Sequence, residues 1–469
     1  MTEQQFEPGS FRDRQARIFY YKKTVYRGLN KQALKEWEEF SSTQLFSRLL
    51  HQKKLIPTER LDRESSELIP GSEQWATILK HRTIPFISYP YEWSFGMLKD
   101  AALLQLELLL GALEEGMILK DSSPFNVQWH GTDPVFIDLT SFHKLLPGDP
   151  WVGYRQFCQL FLYPLLLLAY KNVPFQPWLR GSLEGFQPDD FLRLMSVRDY
   201  LRPGVIAHVF LQARAQALYG STKRNIRAEL RTAGFDARLI KANVLGLYKL
   251  VQRLTWQCSR STWSDYANQS PYQFEDAERK IKFVREIVST RHWPLIWDLG
   301  CNTGTFSRIA AEHADYVVAL DSDQVAIERF YQVLRQERQT KILPLLTNIA
   351  DPSPNLGWRG LERKPLKNRG EPDLVLCLAL VHHLVITANI PLDELVDWLA
   401  ELGADLIIEF VTKDDPMVKT LLHNKEDQYA EYDKENFERI LSSRFAIRRQ
   451  DTLGSRSRIL YHATGPSTR

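Results

Sequence analysis

The chain has 469 residues, 44% hydrophobic and 25% charged, with 60 Lys+Arg against 57 Asp+Glu and a formal net charge of +3. That composition supplies ample core and excludes a disordered or fibrous protein, and the length predicts two or three domains. The near-neutral balance excludes a general nucleic-acid coat, while four isolated cysteines without a CxxC pair exclude a disulfide framework or cysteine zinc site.

The N-terminal MTEQQFEPGSFRDRQ has no apolar leader core, so no secretory signal is expected. Ala16–Tyr26, rich in aromatic and branched residues, predicts a strand or hairpin. Gln32–Gln52 predicts one helix from its three-and-four spacing. The aromatic cluster Phe86, Tyr89, Tyr91, Trp93 and Phe95 reads as core packing, ahead of a strongly helical stretch from Ser94 to Gly116 with a C-terminal glycine. Two short strands follow, Met117–Leu119 and Val135–Asp138. Residues 155–255 read as mainly helical. Within them Phe157–Tyr170 is apolar but interrupted by Pro164 and too short to span a bilayer, which predicts a buried helix. No membrane contact is expected, and a cytoplasmic location fits.

The polar, aperiodic stretch Gln257–Tyr272 marks a joint. It predicts an α-rich α+β domain over 1–255, a linker over 256–273 and a second domain over 274–469. After the joint the chain alternates: helix Phe274–Thr290, strand Leu295–Leu299, helix Gly304–Glu312, strand Tyr316–Asp321, helix Gln324–Arg338 and strand Ile342–Thr347. A basic loop then leads to strand Asp373–Ala379, helix Leu392–Leu402, strand Asp405–Val411 and two last strands at Phe445–Arg449 and Ile459–His462. This alternation predicts an α/β fold with a parallel sheet of about seven strands.

The sharpest motif is Trp297-Asp298-Leu299-Gly300-Cys301-Asn302-Thr303-Gly304 at the end of the first of these strands, with Asp321 ending the next. Glycines there allow a tight turn and close ligand approach at a helix N-terminus. An acid placed like Asp321 takes both hydroxyls of a ribose. A dinucleotide site wants G-x-G-x-x-G; here Asn302 holds the middle place and Asp298 stands two residues before the first glycine. A carboxylate there repels pyrophosphate and suits a ligand bearing an ammonium and a sulfonium, which favours S-adenosylmethionine.

The ordered series WDLGCNTGTFS, VVALDSD, NIAD, DLVLCLALVHHL and LIIEFV resembles that of class I S-adenosylmethionine-dependent methyltransferases. YPYEWSFGMLKDAALL, FIDLTSF and EFVTKDDPMVKTLL extend the resemblance to a bacterial nodulation-protein-like group of methyltransferases, whose label hints at a saccharide acceptor. The resemblance implies a Rossmann-like fold with the methionine part of the cofactor at Asp298, Leu299, Gly300, Cys301, Asn302 and Gly304. It implies the ribose at Asp321, Ser322 behind it, and adenine at Asn348, Ile349 and Asp351, with Leu378 lining the transfer site. His382 and His383 stand where a base could act, and Glu409 is a further candidate; no metal is implied. The bland reading of the two histidines is packing under the cofactor and capping. The loop Pro352–Pro372, with Arg359, Arg363, Lys364, Lys367 and Arg369, reads as a solvated charge run or as a steering surface for an anionic substrate.

In the first half, Asp121, Asn126 and Asp138 have a spacing that resembles the catalytic loop of kinases. The resemblance implies Asp121 as base and Asn126 and Asp138 holding the Mg2+ of Mg-ATP; it identifies no nucleotide lysine, and Lys22 or Lys23 in the early strand stands only as a guess for it. The departures are the missing preceding His and phosphate loop, so a kinase-like fold retained to bind substrate or nucleotide is the expectation. The function expected is methyl transfer to a small molecule or saccharide. The rivals are a regulatory S-adenosylmethionine-binding protein without turnover and an ATP-dependent phosphotransferase.

Overall fold

The structure is a computed structural model and describes residues 5–214, 236–257, 274–423 and 428–465. Most of the expected joint 256–273, and part of the helical stretch before it, lie outside the described residues.

The N-terminal region opens with strands β1 (Gln5–Phe6), β2 (Ala16–Tyr21), β3 (Thr24–Leu29), β4 (Thr58–Arg60) and β5 (Thr77–His81), antiparallel in the order β1-β2-β3-β5-β4. Lys22 and Lys23, both at positive φ, make the tight β2–β3 turn and are exposed there. They do not stand as a nucleotide lysine: the cation from this sheet that reaches Asp138 is Arg27 of β3. The single helix expected over Gln32–Gln52 is two, α1 (Lys31–Ser41) and α2 (Gln44–His51). Thr43 breaks it by leaving helical φ/ψ to cap the Phe46 N–H. Helix α3 (Phe95–Glu114) starts where Ser94 caps it, and Gly116 follows at φ +70°. Then come β6 (Met117–Leu119), β7 (Val127–His130), β8 (Asp133–Phe136) and β9 (Phe142–Lys144) in two small antiparallel sheets, β6 with β9 around the hairpin of β7 with β8. The strand expected at Val135–Asp138 thus lies two residues earlier, because it pairs with β7 through a Gly131 turn. Phe157–Tyr170 is a buried helical run, as expected. The short helix α4 (Gln176–Gly181) packs near Pro90–Glu92.

After α5 (Phe274–Val288) comes the second sheet. Its strands are β10 (Trp293–Leu299), β11 (Ala314–Asp321), β12 (Ile342–Leu346), β13 (Leu374–Cys377), β14 (Asp405–Val411), β15 (Ala446–Thr452) and β16 (Arg458–Thr464). They lie in the order β12-β11-β10-β13-β14-β16-β15, five parallel and the last two added as an antiparallel hairpin. Strand order reverses beside β10, so the crevice outside its C-terminal end is where such a sheet takes a ligand. This is the Rossmann-like, seven-stranded α/β fold expected of class I methyltransferases.

Alternation along the strands assigns each residue to a face. On one face Ile296, Val317, Ala319 and Leu376 meet α5, α6 (Thr305–Ala311) and α7 (Gln324–Gln336). On the other, Ile408 and Tyr461 meet α8 (Leu392–Glu401) and α9 (Lys434–Arg444), whereas Leu295, Trp297, Val318 and Leu343 belong to one core with Phe86, Trp93 and Trp129 of the N-terminal region. Between β12 and β13 there is no crossover helix, only two 3-10 turns. The N-terminal region covers the bare strands instead. Phe86 stands edge-on to Trp297 at 5.8 Å. Gly131 donates its N–H to the Tyr316 hydroxyl at 3.0 Å and must be glycine, since a Cβ there would lie 2.4 Å from Thr340 Cα.

The basic loop is neither a solvated run nor a free steering surface. Arg369 is wholly buried and grips Glu92 with both arms at 2.6 Å. Arg363 lies over the Phe125 ring at 3.7 Å, and Lys364 pairs with Glu7 at 2.5 Å. Lys367 pairs with Glu401 across the surface, and Arg359 is exposed. Three of its five cations fasten the two regions together.

Candidate cofactor site and its neighbours

The end of β10 turns because residues that tolerate positive φ follow it: Gly300 at +76°, Asn302 at +50° and Gly304 at +85°. Gly304 admits no side chain, since a Cβ would sit 1.9 Å from the Phe330 ring. Around Gly300 a Cβ would meet the Leu380 side chain at 3.5 Å, an ordinary packing distance, so Leu380 lies directly over this side of the loop. The backbone N–H groups of Gly300 and Cys301 bind the Leu320 carbonyl at 2.8 and 3.1 Å, which pins the loop across the end of β11.

Two acids face this loop. Asp298 is buried and accepts the Ser307 hydroxyl at 2.6 Å. Burial, helped by the charge of Asp321, pushes its carboxyl up to about 6. Asp321 accepts the Asn302 N–H on one oxygen and the Asp323 N–H on the other, both at 2.8 Å, and burial raises it as well. The two hydrogen bonds aim its carboxylate and leave further lone pairs for two hydroxyls. Ser322 beside it is exposed, and Asp323 caps α7 through the Val325 and Ala326 N–H groups.

Past β12, the Thr347 N–H binds the Asp321 carbonyl at 2.7 Å, and the Asn348 side chain holds the Ala350 N–H at 3.0 Å. Asn348, Ile349 and Asp351 therefore leave β12 in a turn that starts at the backbone of Asp321. Asp351, however, is engaged by Arg180 of α4 through both carboxylate oxygens, at 2.8 and 2.9 Å. Past β13, Leu378 is buried and Ala379 sits at φ +52°, a left-handed conformation that costs a non-glycine residue ~1 kcal/mol. This bend drops Leu380 over Gly300.

The candidate bases fare unequally. Glu409 is not at the pocket mouth: it is fully buried on β14, bound to Lys280 of α5 and to Arg458 of β16, and Arg458 also grips Asp415 at 2.7 Å. With two cations on its oxygens it is a fixed counter-charge. His382 is fully buried, neither ring nitrogen has a partner among the described residues, and burial holds it well below the usual histidine range. His383 lies against it, the ring centroids 4.1 Å apart and the planes tilted by 39°, is less buried, and is pushed down to about 4 by burial.

In the N-terminal region Asp121 and Asp138 come close enough for the charge of Asp138 to add to burial in raising Asp121. The Asn126 amide is 3.5 Å from Asp138. The Arg27 guanidinium holds Asp138 Oδ1 and the Thr140 hydroxyl at 2.8 Å, while the Asn126 amide faces the other oxygen of Asp138. Among the described residues no group of three or more His, Cys, Asp or Glu could hold a metal.

Sequence reasoning missed Lys280, Ser307, Arg458, Asp415 and Arg180. Ser307 had a signal, lying one helical turn into the helix that the glycine loop opens; the others are joined to the site only by tertiary contacts.

A left-handed turn over a buried acid, a second acid ending the next strand, and strand order reversing beside them are the features expected from the resemblance to class I S-adenosylmethionine-dependent methyltransferases. The chain is 33% identical over 455 residues to nodulation protein NoeA of Rhizobium meliloti (strain 1021), covering 97% of this chain and 94% of the relative. It belongs to the NoeA family of nodulation proteins. No protein-family model matches it. Solved structures similar to it include N-methyltransferase NodS from Bradyrhizobium japonicum WM9 in complex with S-adenosyl-L-homocysteine, 17% identical, covering 43% of this chain and 95% of that one at a TM-score of 0.32. Another is magnesium protoporphyrin IX methyltransferase from Synechocystis PCC 6803 with bound SAH, 18% identical, covering 43% of this chain and 92% of that one at a TM-score of 0.31. No helix among the described residues is long and apolar enough to cross a membrane.

Proposed function

We propose that this chain transfers a methyl group from S-adenosylmethionine to a small-molecule acceptor, with a saccharide favoured, and that residues 1–255 select or position that acceptor. One observation carries the reading: Asp298, buried, and Asp321, partly buried, form no ion pair among the described residues and flank the left-handed turn Gly300–Gly304. The donor set suits the cofactor. Asp298 would meet its cationic amino-acid end, Asp321 its ribose, and the Asn348–Asp351 turn its adenine. When bound, the cofactor supplies a methyl group activated by a sulfonium. The chain's part is then alignment and exclusion of water, with Leu378 and Leu380 forming the apolar wall. His383, neutral at physiological pH, accepts a hydrogen bond on the acceptor side, and His382 packs beneath it. Asp121, Asn126 and Asp138 belong to the acceptor-selecting region, a kinase-like remnant joined through 256–273, in a cytoplasmic protein.

The test is incubation of the full chain with S-adenosylmethionine and a panel of amino sugars and oligosaccharides, following release of S-adenosylhomocysteine and a methyl mass gain on the acceptor. Turnover lost in Asp298→Asn and Asp321→Ala supports the reading. Cofactor binding with no turnover on any acceptor favours a sensor without activity, and Mg-ATP consumption lost in Asp138→Ala favours phosphotransfer.

A further inference from the structure

Arg180 makes four hydrogen bonds to the segment after β12. Nη1 donates to Asp351 Oδ2 at 2.8 Å and to the Asp351 carbonyl at 3.3 Å; Nη2 donates to Asp351 Oδ1 at 2.9 Å and to the Pro352 carbonyl at 3.2 Å. The turn it grips is short and otherwise held from within: Asn348 accepts the Ala350 N–H on its side chain and the Asp351 N–H on its carbonyl, both at 3.0 Å. Its near end is tied to the ribose acid, through the Thr347 N–H on the Asp321 carbonyl. Its far end is tied to a helix of the other region, and Ser353 just beyond binds the Tyr91 hydroxyl at 2.9 Å.

We propose that Arg180 is a positioning residue for the cofactor: from the N-terminal region it locks the Asn348–Asp351 turn in the shape that receives the nucleoside base, so both regions build the site. The inference rests on the reading of the crevice as a nucleoside cofactor site. A guanidinium that engages a carboxylate with two arms and two carbonyls fixes orientation as well as distance, which a lysine cannot do. The Asp351 side chain is 69% exposed, so the pair adds little to stability. Its effect falls on the ligand, which otherwise bears the entropy cost of ordering the turn.

The experiment titrates S-adenosylhomocysteine and adenosine into the full chain, as wild type, Arg180→Ala, Arg180→Lys and Asp298→Asn, with the melting temperature of each. Arg180→Ala should weaken both ligands by the same factor, tenfold or more, at an unchanged melting temperature. Arg180→Lys should be nearly as weak as Arg180→Ala. Asp298→Asn should weaken S-adenosylhomocysteine and spare adenosine. Wild-type affinity in Arg180→Ala or in Arg180→Lys, or a loss confined to S-adenosylhomocysteine, overturns the proposal. Adenosine binding without S-adenosylhomocysteine binding by wild type removes the cofactor assignment while Arg180 is still judged on adenosine. Binding of neither removes both.

Discussion

The two faces of the seven-stranded sheet are covered by different means. One is closed by helices of its own sequence neighbourhood, α5, α6 and α7; the other is closed over β10–β12 by residues more than 150 positions earlier, led by Phe86, Trp93 and Trp129. The difference follows from the β12–β13 connection, which spends its residues on ion pairs and turns instead of a helix. A face of Leu295, Trp297, Val318 and Leu343 cannot stay in water, so the Rossmann-like unit and the N-terminal region share one core. That arrangement also brings α4 to the cofactor turn.

The largest test cuts the chain. Residues 274–469 alone should fail to fold cooperatively, binding a hydrophobic dye and showing no sharp thermal transition. A monomeric fragment with a cooperative melt would mean that the second face closes by itself. Next is the buried pair at the junction: Glu92→Ala strands the Arg369 charge and should cost about 3–5 kcal/mol in chemical unfolding, whereas Glu92→Leu with Arg369→Met should recover most of it. Equal losses from the single and the double change would place the cost in packing.

A third test contrasts stability with function at Asp298. Its folded pKa, about 6 against an ordinary 3.8, is raised, so the folded state holds its proton longer than the unfolded state. The contribution of Asp298 to stability is therefore most favourable below about pH 4, declines as pH rises to about 6, and is less favourable above that by about 3 kcal/mol at 1.36 kcal/mol per unit. Asp298→Asn should raise the melting temperature of the free protein at pH 7.5 and flatten its fall between pH 4 and 6, while losing S-adenosylhomocysteine. Unchanged stability would show that Asp298 is not strained by burial. The smallest effect belongs to Lys367→Ala, whose exposed pair with Glu401 predicts a change within about 0.5 kcal/mol in urea unfolding.

The second sheet was legible because each parallel strand is a short apolar run ending where a turn residue must stand; Gly300, Asn302, Gly304 and Asp321 reported themselves by spacing alone. The N-terminal strands were mostly silent, since β4 and β9 have three residues each and half-exposed patterns. Charges misled most. Arg369 in a basic loop looks solvated until Glu92, 277 positions away, is folded against it. Glu409 looks available at a strand end until Lys280 and Arg458 arrive from other elements. A local pattern reports exposure on average, while the partner of a buried charge is a tertiary fact.

The central claim is that Asp321 holds a nucleoside whose amino-acid end meets Asp298. Calorimetric titration of S-adenosylhomocysteine into the wild type and into Asp321→Ala at pH 7.5 tests it most directly. The wild type should bind at micromolar concentration and the variant not at all, at equal folded fraction. No binding by well-folded wild type, or equal binding by both proteins, would contradict it.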